Sequence, residues 1–401
     1  MTAEILKHKL EVLFSPLHHN VFFLVGGSVR DTLLDRPIND LDLLAAVPED
    51  ILKQLGFRLV CGKTTEPIWF RHDPELGSIE LTRLDSVEEL AANLSQRDFT
   101  INAMAMGLDG RLIDPLNARQ DLYQRILKTC SATAFQDDPL RIIRAFRFAS
   151  DGWQISSETE QAIRSHDWSC QLAALPVERF SREMVKALGS SEPYRFFELL
   201  VTMNIGKHWL PELFRMPEIP AGPLQHHPEG DLLTHSMQVL QRTASMSEDP
   251  LTRFCAFFHD IGKLSTDPAL HPKHHGHDEA GYKPALAFCN RLALPSGWGK
   301  ALSWISRLHT NLNRWSELRD STKLRIAGQA RQAGIIKILP IVSAADKPGN
   351  STPLEWQHAV HVAAMNSEQL GISQEQMDAL SSTKRSGLIG QKRIELFRRT
   401  T

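Results

Sequence analysis

The stretch Gly26-Gly27-Ser28-Val29-Arg30-Asp31, followed by Asp40-Leu41-Asp42, decides the fold of the first part of this 401-residue chain. The apolar run Val21–Val25 ends at the glycine pair, which predicts a buried strand and a tight turn. The residues after the turn have helical spacing, and Leu41–Ala46 and Ile79–Leu84 are two further short apolar runs. Strand, glycine turn, helix and strand in this order predict a small α/β module.

Two carboxylates alternate along the second of these strands. Asp40 and Asp42 are at positions i and i+2, so their side chains point to the same face, roughly 7 Å apart. Carboxylate oxygens placed in this way can share Mg²⁺, which also binds the phosphates of a nucleotide. Gly26 and Gly27 let backbone amides approach a triphosphate, and Arg30 adds positive charge. Each feature alone is most often structural, but their combination within a short stretch is rare.

These residues resemble the nucleotidyltransferase signature of the DNA polymerase beta superfamily, in the form of its bacterial CCA-adding and poly(A) polymerase branch. The resemblance continues in Arg97–Ala105, which is similar to the block that handles the incoming ribose and triphosphate, and in Asp114-Pro115 and Asp121-Leu122. It implies that Asp40 and Asp42 are catalytic and bind Mg²⁺. It also implies nucleotide-binding roles for Gly26, Gly27, Arg30, Arg97, Asp98 and Asn102.

A further motif, Asp137-Asp138-Pro139-Leu140-Arg141, resembles the family's E-D-x-x-R motif. A carboxylate and a guanidinium three residues apart lie on one side of a helix, where they can pair with the Watson–Crick edge of a base. The resemblance implies that Asp138 and Arg141 read the base of CTP or ATP in place of a template strand. Arg144 and Arg147 extend the same stripe and can hold the tRNA end or the triphosphate. Without the family match, an N-cap aspartate and a surface arginine would be the favoured interpretation.

The sequence departs from the family pattern at several points. Gln96 replaces the first arginine of the R-R-D block, and Asp137 replaces a glutamate. Full CCA-adding enzymes have a long, basic, mobile loop where this chain has only Asp85–Gln96, a stretch with the pattern of a short acidic helix. In the family, loss of that loop is associated with enzymes that add C-C but not the final A. Glu80, on the preceding strand, is a candidate third carboxylate.

A second constellation consists of His235, His259-Asp260 and Asp346. Imidazole and carboxylate ligands from neighbouring helices suit Mn, Fe, Ni or Zn, and a water bound there would become a nucleophile near neutral pH. The order H…HD…D resembles the HD phosphohydrolase superfamily. The resemblance implies that these four residues hold a transition metal such as Ni²⁺ or Mn²⁺.

The histidine-rich loop Lys273–Asp278 resembles a segment of the long gamma-proteobacterial CCA enzymes, whose HD domain carries phosphatase and 2′,3′-cyclic phosphodiesterase activities. His274, His275 and His277 belong to this loop. Thr310, after His309, departs from the second His-Asp pair of those enzymes, which leaves open how wide the hydrolase activity is.

The remainder of the chain, from about Asp138 onward, has helical patterns, and Pro217–Gly230 is interpreted as a linker. The predicted fold class is α+β. A small polymerase-beta-like nucleotidyltransferase head, with a mixed sheet plus helices, precedes an all-helical neck and body and a helical HD domain. The predicted boundaries are 1–130 for the catalytic head, 131–216 for the helical neck that binds the base and tRNA, 217–350 for the HD domain, and 351–401 for a helical tail.

Composition adds few constraints. The net charge is -2 and the pI about 6.8, so a nucleic-acid site must be a local patch. The five cysteines are scattered and no stretch approaches the roughly 20 apolar residues of a membrane span. We therefore expect a cytoplasmic protein without a membrane partner, either a monomer or a homodimer.

The sequence predicts a template-independent tRNA nucleotidyltransferase that uses CTP, ATP and Mg²⁺ at the tRNA acceptor end and carries an HD phosphohydrolase activity. An enzyme that adds only C-C is the alternative suggested by the short stretch 85–96. A poly(A) polymerase shares the head motifs, but the HD domain and the lack of a long basic extension disfavour it. An HD nucleotide phosphohydrolase and a non-catalytic tRNA-binding protein are disfavoured by the complete D-x-D.

Overall fold

The computed structural model describes residues 3–38, 41–60 and 67–399. The chain divides into two compact units, Met1–Trp168 and Ser169–Thr401. In the described part of the chain, no helix is long and apolar enough to cross a membrane.

The first unit combines a sheet with helices. Its elements are α1 Ala3–Leu13, β1 Phe22–Val25, α2 Gly27–Leu33, β2 Leu41–Ala45, α3 Glu49–Gln54, β3 Arg58–Val60, β4 Ile68–Asp73, β5 Gly77–Arg83, α4 Leu90–Ser95, β6 Ala105–Gly107, β7 Leu112–Ile113, α5 Ala118–Gln124, β8 Ile126–Leu127, α6 Ala134–Asp137, α7 Leu140–Ala149, β9 Gln154–Ile155 and α8 Ser157–Arg164.

Strands β1 to β7 form a seven-stranded mixed sheet in the order β3-β4-β5-β2-β1-β6-β7, and β8 and β9 form a separate parallel pair. Strand β1 is antiparallel to both β2 and β6, whereas the central strand β2 is parallel to β5. The parallel register places Asp42 beside Glu80 and Leu44 beside Thr82. Because side chains alternate along a strand, these four residues share one face of the sheet.

Both faces of β1 are covered, and all four of its residues are buried. On one face, Phe22 stacks on Phe14 with ring centroids 4.2 Å apart. On the other face, Phe23 belongs to a hydrophobic cluster to which α4 contributes Leu90 and Leu94. The strand is therefore a continuous apolar run, as expected for a strand buried on both sides.

Helix α7 is strongly amphipathic, and its buried face includes Ile142, Phe146 and Phe148. The Phe148 ring meets Phe99 edge-on at 5.8 Å and Trp153 at 6.3 Å. This packing fixes the axis of α7 and turns the arginines of its other face away from the core.

The described elements of the second unit are helices. They are α9 Ser169–Ala173, α10 Val177–Leu188, α11 Tyr194–Thr202, α12 Pro211–Arg215, α13 Leu232–Ala244, α14 Pro250–Phe258, α15 His277–Arg291, α16 Ser296–Asn313, α17 Asp320–Ala333, α18 Ile338–Asp346, α19 Trp356–Ala364, α20 Gln374–Asp378 and α21 Ser382–Arg399.

Local sequence signals start the helices that matter most in this unit. Asp231 caps α13 by accepting a hydrogen bond from the Thr234 backbone amide at 2.9 Å. Asp249 caps α14 in the same way, and Pro250 occupies its first turn. The body of α14 is aromatic, and its Phe257 ring stacks on Phe197 with centroids 4.1 Å apart. Helix α14 is consequently the buried centre of the unit.

The predicted α+β class is confirmed. The stretch Pro217–Gly230, interpreted from the sequence as a linker, is held in place by side chains of the second unit. Glu229 binds His235, the carbonyl of Ala221 accepts a hydrogen bond from Lys263, and the carbonyl of Pro220 contacts the ring of His274.

Ser28 connects the helix after β1 to strand β2. It lies inside α2, whose N-cap is Gly26, and its Oγ accepts a hydrogen bond from the Asp42 amide at 3.2 Å. The hydroxyl therefore ties the helix to the start of the neighbouring strand.

Candidate functional sites

The glycine turn and the second strand form the first candidate site. Gly26 has a φ of +65°, a conformation that favours glycine. A Cβ at this position would lie 2.7 Å from Nη1 of Arg97 and 3.3 Å from Oδ2 of Asp42. Only a residue without a side chain leaves room for both charged groups beside the turn. Asp40 lies outside the described residues, so its predicted pairing with Asp42 stays a prediction.

Arg97 enters this site from the loop after α4. Its Nε is buried and has no hydrogen-bond partner among the described residues. Burial lowers the pKa of Arg97, an effect that Asp42 and Asp98 oppose. A buried guanidinium with an unsatisfied donor is costly unless a ligand supplies an acceptor. The position is therefore suited to an anionic ligand.

Asp98 is the centre of a hydrogen-bond network. Its Oδ2 accepts bonds from Nε and Nη2 of Arg144 at 2.8 and 2.6 Å, and its Oδ1 accepts from Nδ2 of Asn102 at 3.0 Å. Asn102 Oδ1 in turn accepts from Nη1 of Arg30 at 2.8 Å. Burial alone would raise the pKa of Asp98, but Arg144 and the other donors hold it at about 2. Asp98 thus positions two arginines and stays ionised.

A cleft of about 640 Å³ runs along the sheet face that carries Asp42. Leu44 and Thr82 line it on the sheet side, and Arg97 and Arg141 line it farther along. Nη2 of Arg141 donates to the carbonyl of Gln96 at 2.7 Å. The cleft therefore connects the surroundings of the predicted metal strand with the predicted base-reading arginine.

The other residues of the predicted stripe have different surroundings. Asp138 Oδ1 accepts a bond from the amide of Leu140 at 3.1 Å and so starts α7. Arg144 is bound to Asp98, and the guanidinium of Arg147 lies 4.0 Å from the centre of the Phe148 ring. Their predicted roles at the nucleotide or the tRNA end stay predictions.

The second candidate site is the predicted histidine–aspartate centre, whose four residues lie together in the second unit. His235 Nε2 is 3.0 Å from Asp346 Oδ1, and His259 Nε2 is 3.4 Å from the same oxygen. His259 Nε2 also lies 3.2 Å from Asp260 Oδ2. His235, His259 and Asp260 are almost completely buried. Helix α13, the two residues that follow α14 and the end of helix α18 supply these groups from widely separated parts of the chain.

Hydrogen bonds fix the imidazole rings of this centre. His235 Nδ1 is 2.7 Å from Oε1 of Glu229, and His259 Nδ1 is 2.8 Å from the carbonyl of Ala256. Each ring therefore donates through Nδ1 and turns the lone pair of Nε2 towards Asp346. This is the arrangement of histidines that bind a metal ion.

The centre fits a divalent cation. His259 Nε2 and Asp260 Oδ1 are buried without a hydrogen-bond partner among the described residues. Burial disfavours a charged ring, yet Asp260 and Asp346 outweigh it and raise the pKa of His259 to about 10. The negative charge around His259 therefore stabilises a positive charge at this position, and a metal cation could supply that charge instead of a proton. Two imidazoles and two carboxylates form a complete donor set for a first-row transition metal.

Several residues of this centre were missed by sequence reasoning. Lys263 Nζ lies 2.6 Å from Asp260 Oδ2, and Asn313 Nδ2 donates to Asp346 Oδ2 at 2.6 Å. Glu229 holds His235. The position of Lys263, three residues after Asp260 at the end of an apolar helix, was a usable signal. Glu229 was hidden by the Pro- and His-rich composition around it.

The histidine-rich loop contributes one ring to the centre. His277 directs Nε2 at Asp260 Oδ1 over 3.3 Å. His274 is buried elsewhere, with Nε2 2.7 Å from the carbonyl of Pro220, and His275 is exposed. A cleft of about 580 Å³ adjoins the centre, and four basic side chains are among the residues that line it. These are Arg242, Lys263, Arg314 and Lys347.

Comparisons with known families and proteins agree with this arrangement. Residues 66–128 match the "Poly A polymerase head domain", 152–216 the "Probable RNA and SrmB- binding site of polymerase A", and 232–347 the HD domain. The multifunctional CCA protein of Legionella pneumophila (strain Lens) is 36% identical over 328 residues, 77% of this chain and 78% of that protein. That of Hahella chejuensis is 36% identical over 325 residues, 76% of each chain.

Solved structures show the same fold at lower identity. A CCA-adding enzyme in complex with ATP has a TM-score of 0.65 at 19% identity, over 98% of this chain and 91% of that one. The Thermotoga maritima CCA-adding enzyme complexed with tRNA has a TM-score of 0.63 at 18% identity, over 99% and 92%.

A polymerase-type head and an HD domain in one chain define a nucleotidyltransferase fused to a metal-dependent hydrolase module. The chain belongs to the multifunctional CCA protein family. The predicted membership of the CCA-adding branch and the predicted enzyme class are thereby confirmed. Both kinds of domain indicate a requirement for a divalent metal.

Proposed function

We propose that this protein adds C, C and A to the 3′ end of tRNA from CTP and ATP, without a nucleic-acid template, in the cytoplasm. The observation that carries the proposal is the contact of Gly26, Asp42 and Arg97, which places a carboxylate and an unsatisfied cation beside a side-chain-free turn. This combination suits a cation-bound triphosphate.

In this proposal Asp40 and Asp42 would hold Mg²⁺, which would activate the attacking 3′-hydroxyl and neutralise the leaving pyrophosphate. The chain's own groups bind and orient the substrate. Arg97 offers its buried donor to the phosphates, and the amides of Gly26 and Gly27 approach them without steric hindrance. Asn102 orients the guanidinium of Arg30 by accepting a hydrogen bond from it.

Base selection is assigned to Asp138 and Arg141. The Arg141 guanidinium lines the cleft while the Gln96 carbonyl restrains it, so that its remaining donors have a defined direction. A site that reads a base by hydrogen bonds discriminates through the groups that a wrong base leaves unpaired. Substitution Arg141→Ala should therefore raise the use of UTP relative to CTP; a lower rate with an unchanged ratio would contradict the base-reading role.

A second candidate, addition of C-C only, is favoured by the stretch 85–96. The stretch is helical, as predicted, with 3-10 turns at Val87–Glu89 and α4 at Leu90–Ser95. Leu90 and Leu94 are buried in the sheet cluster, so this segment is anchored and short. A segment that switches the base specificity of the pocket from C to A would have to move, and an anchored segment is not suited to this. Gel resolution of products from tRNA ending in C-C, given ATP alone, separates the two candidates, because rapid addition of A excludes this second one.

The histidine centre is proposed to hydrolyse phosphate esters such as 2′,3′-cyclic phosphates and terminal phosphates. His235, His259, Asp260 and Asp346 would hold Ni²⁺ or Mn²⁺, which supplies a nucleophilic water near neutral pH. Lys263 neutralises Asp260, and the basic side chains that line the cleft suit a phosphate group.

One experiment tests both proposals. Purified protein is given tRNA that lacks its terminal nucleotides, with CTP and ATP separately, and in parallel a 2′,3′-cyclic nucleotide with Mn²⁺ or Ni²⁺. The His259→Ala variant should lose only the hydrolase reaction, while a variant of Asp42 should lose only nucleotide addition. Loss of both reactions in either variant would contradict the assignment of separate sites.

A further inference from the structure

The four basic side chains that line the cleft of the HD centre differ in what holds them. Lys263 is buried and already paired with a carboxylate of the centre, and Arg314 directs Nε and Nη2 at the carboxylate of Glu317. Lys347 is exposed. Arg242 is half-buried, and its hydrogen bonds within the described part of the chain go to backbone carbonyls only. It is therefore a cation that is held in place without a carboxylate partner.

We propose that Arg242 binds the phosphate group of the substrate in this cleft and orients it beside the metal ligands. The inference rests on the proposed hydrolase function of the centre and deepens it. The ligand is the phosphate of a nucleotide, as a terminal monoester or a 2′,3′-cyclic diester, and inorganic phosphate as the product. A planar guanidinium with free N–H groups is the donor that matches phosphate oxygens.

The first argument is the position of Arg242 on α13. It follows His235 by seven residues, so both side chains lie on one face of the helix, about 10 Å apart along its axis. Gln238 lies between them, and all three residues line the cleft. A long helical side chain leans towards the N-terminus of its helix, which here is the direction of His235. The guanidinium is thereby brought towards the metal ligands.

The second argument is that the guanidinium has a fixed orientation. Its Nε donates to the carbonyl of Ala345, and its Nη2 lies 3.4 Å from the carbonyl oxygen of Asp346. These are the last carbonyls of α18, which carry the partial negative charge of a helix end. Nη1 has no hydrogen-bond partner among the residues that the structure describes. Arg242 is therefore held at one edge and keeps a donor for a ligand.

The third argument is that the carboxylate next to these carbonyls is already engaged. Oδ1 of Asp346 lies 3.0 Å from Nε2 of His235, and Oδ2 accepts a hydrogen bond from Asn313 at 2.6 Å. Arg242 thus meets Asp346 only at its main chain. Burial lowers the pKa of Arg242, and the negative charges of Asp346 and Glu229 oppose this effect without removing it. A partly desolvated guanidinium without a bound anion gains from a phosphate.

The competing interpretation is a purely structural role. A side chain that hydrogen-bonds the terminal carbonyls of α18 stabilises the end of that helix. Loss of this contact would disturb Asp346, and hence metal binding, whether phosphate is present or not. Loss of a phosphate ligand would instead change only the response to phosphate. A metal titration without and with phosphate therefore separates the two roles.

The test measures Ni²⁺ affinity on the full-length protein. The protein is stripped with a chelator, given excess Mg²⁺ to occupy the head, and titrated with Ni²⁺ in a calorimeter, without and with inorganic phosphate. We expect phosphate to tighten Ni²⁺ binding in the wild type, because a ligand that contacts both the ion and Arg242 couples their affinities. In Arg242→Ala, phosphate should bind about 10- to 100-fold more weakly, the usual cost of losing hydrogen bonds to a charged group. The enhancement should then disappear, while the Ni²⁺ affinity without phosphate is unchanged.

The matched control is Arg325→Ala on α17. Arg325 is exposed and its Nη1 donates to the side chain of Gln329, so this variant removes the same charge outside the cleft. It should respond to phosphate like the wild type. Where Arg242→Ala does not fold, as judged by circular dichroism, Arg242→Gln replaces it with the same expectation, because an amide can still donate to the carbonyls of α18.

No enhancement in the wild type, or an equal enhancement in the wild type and Arg242→Ala, would overturn the proposal. A weaker Ni²⁺ affinity without phosphate, with the enhancement retained, would assign Arg242 the structural role instead. Hydrolysis of a cyclic nucleotide is measured separately. Hydrolysis without any phosphate enhancement rejects only the role of Arg242. An enhancement that depends on Arg242, without hydrolysis, supports the phosphate site and rejects the proposed hydrolase function.

Discussion

The head site and the HD centre satisfy their charged groups in opposite ways. In the head, charged groups are bound largely to each other, as in the network that runs from Arg30 through Asn102 and Asp98 to Arg144. In the HD centre, hydrogen bonds fix the outer nitrogens of the rings, while His259 Nε2 and Asp260 Oδ1 have no hydrogen-bond partner among the described residues. Among the described residues, the head network is thus satisfied by its own side chains, with Arg97 Nε left without an acceptor, whereas the HD centre keeps a ring nitrogen and a carboxylate oxygen that a metal ion would satisfy.

The largest expected effect is a loss of nucleotide addition at the head site alone. Asp42→Asn removes a metal-binding charge next to Arg97 and should slow CTP incorporation by on the order of 1,000-fold, because the lost stabilisation amounts to several kcal/mol. Hydrolysis of a cyclic nucleotide should be unchanged. Incorporation of labelled CTP into end-trimmed tRNA is the measurement, and wild-type rates in the variant would refute the metal-strand assignment.

A second variant tests whether the head site needs the free space at Gly26. Gly26→Ala places a methyl group 2.7 Å from Arg97 and strains a residue with φ +65°, so we expect roughly a 100-fold loss of addition. Gly56 has a similar φ of +80° and open space around it. The matched Gly56→Ala variant carries the same strain without the contact and should keep its activity. Equal losses in the two variants would show that strain alone is responsible.

The head network predicts a pH dependence of stability. Because the pKa of Asp98 is held at about 2, below its ordinary value of 3.8, the folded state binds its proton less readily than the unfolded state. The resulting contribution is fully present above about pH 4 and is lost as the pH falls towards 2. At about 1.4 kcal/mol per pKa unit it amounts to about 2 kcal/mol.

Urea unfolding at several pH values checks this prediction. The wild-type protein should lose the Asp98 contribution between pH 4 and pH 2, whereas Asp98→Asn should be less stable at pH 6 and show a smaller loss on acidification. The exposed carboxylate of Asp50 serves as the control, and Asp50→Asn should follow the wild type. A variant of Asp98 with an unchanged acid profile would argue against the network.

The smallest expected effect concerns the support of the HD centre. Glu229 holds the outer nitrogens of both His235 and His227. Glu229→Gln keeps an acceptor but removes the charge, so we expect about a tenfold weaker affinity for Mn²⁺ or Ni²⁺. Metal titration followed by calorimetry measures it, with nucleotide addition unchanged. An unaltered affinity would mean that the ring is positioned by packing alone.

The parts of both sites that depend on local sequence patterns could be predicted, whereas the parts that depend on contacts between distant residues could not. The glycine turn, Asp42 and the segment 85–96 could be predicted because strand, turn and helix signals lie close together in the chain. Glu229 and Asn313 could not, since their roles depend on contacts with side chains on other elements. The role of Ser28 could not be predicted either, because its hydroxyl accepts a hydrogen bond from the Asp42 amide of strand β2 and this contact is not visible in the local sequence.

The anchoring of Arg141 has a consequence for how this protein can change over generations. The guanidinium binds the backbone carbonyl of residue 96 and not its side chain. A point mutation in the corresponding codon would replace the glutamine and leave this bond in place. Only an insertion or a deletion that reroutes the backbone near residue 96 would remove it. Natural variation in the length of this segment, more than variation in its composition, is therefore the route by which the orientation of Arg141 can evolve.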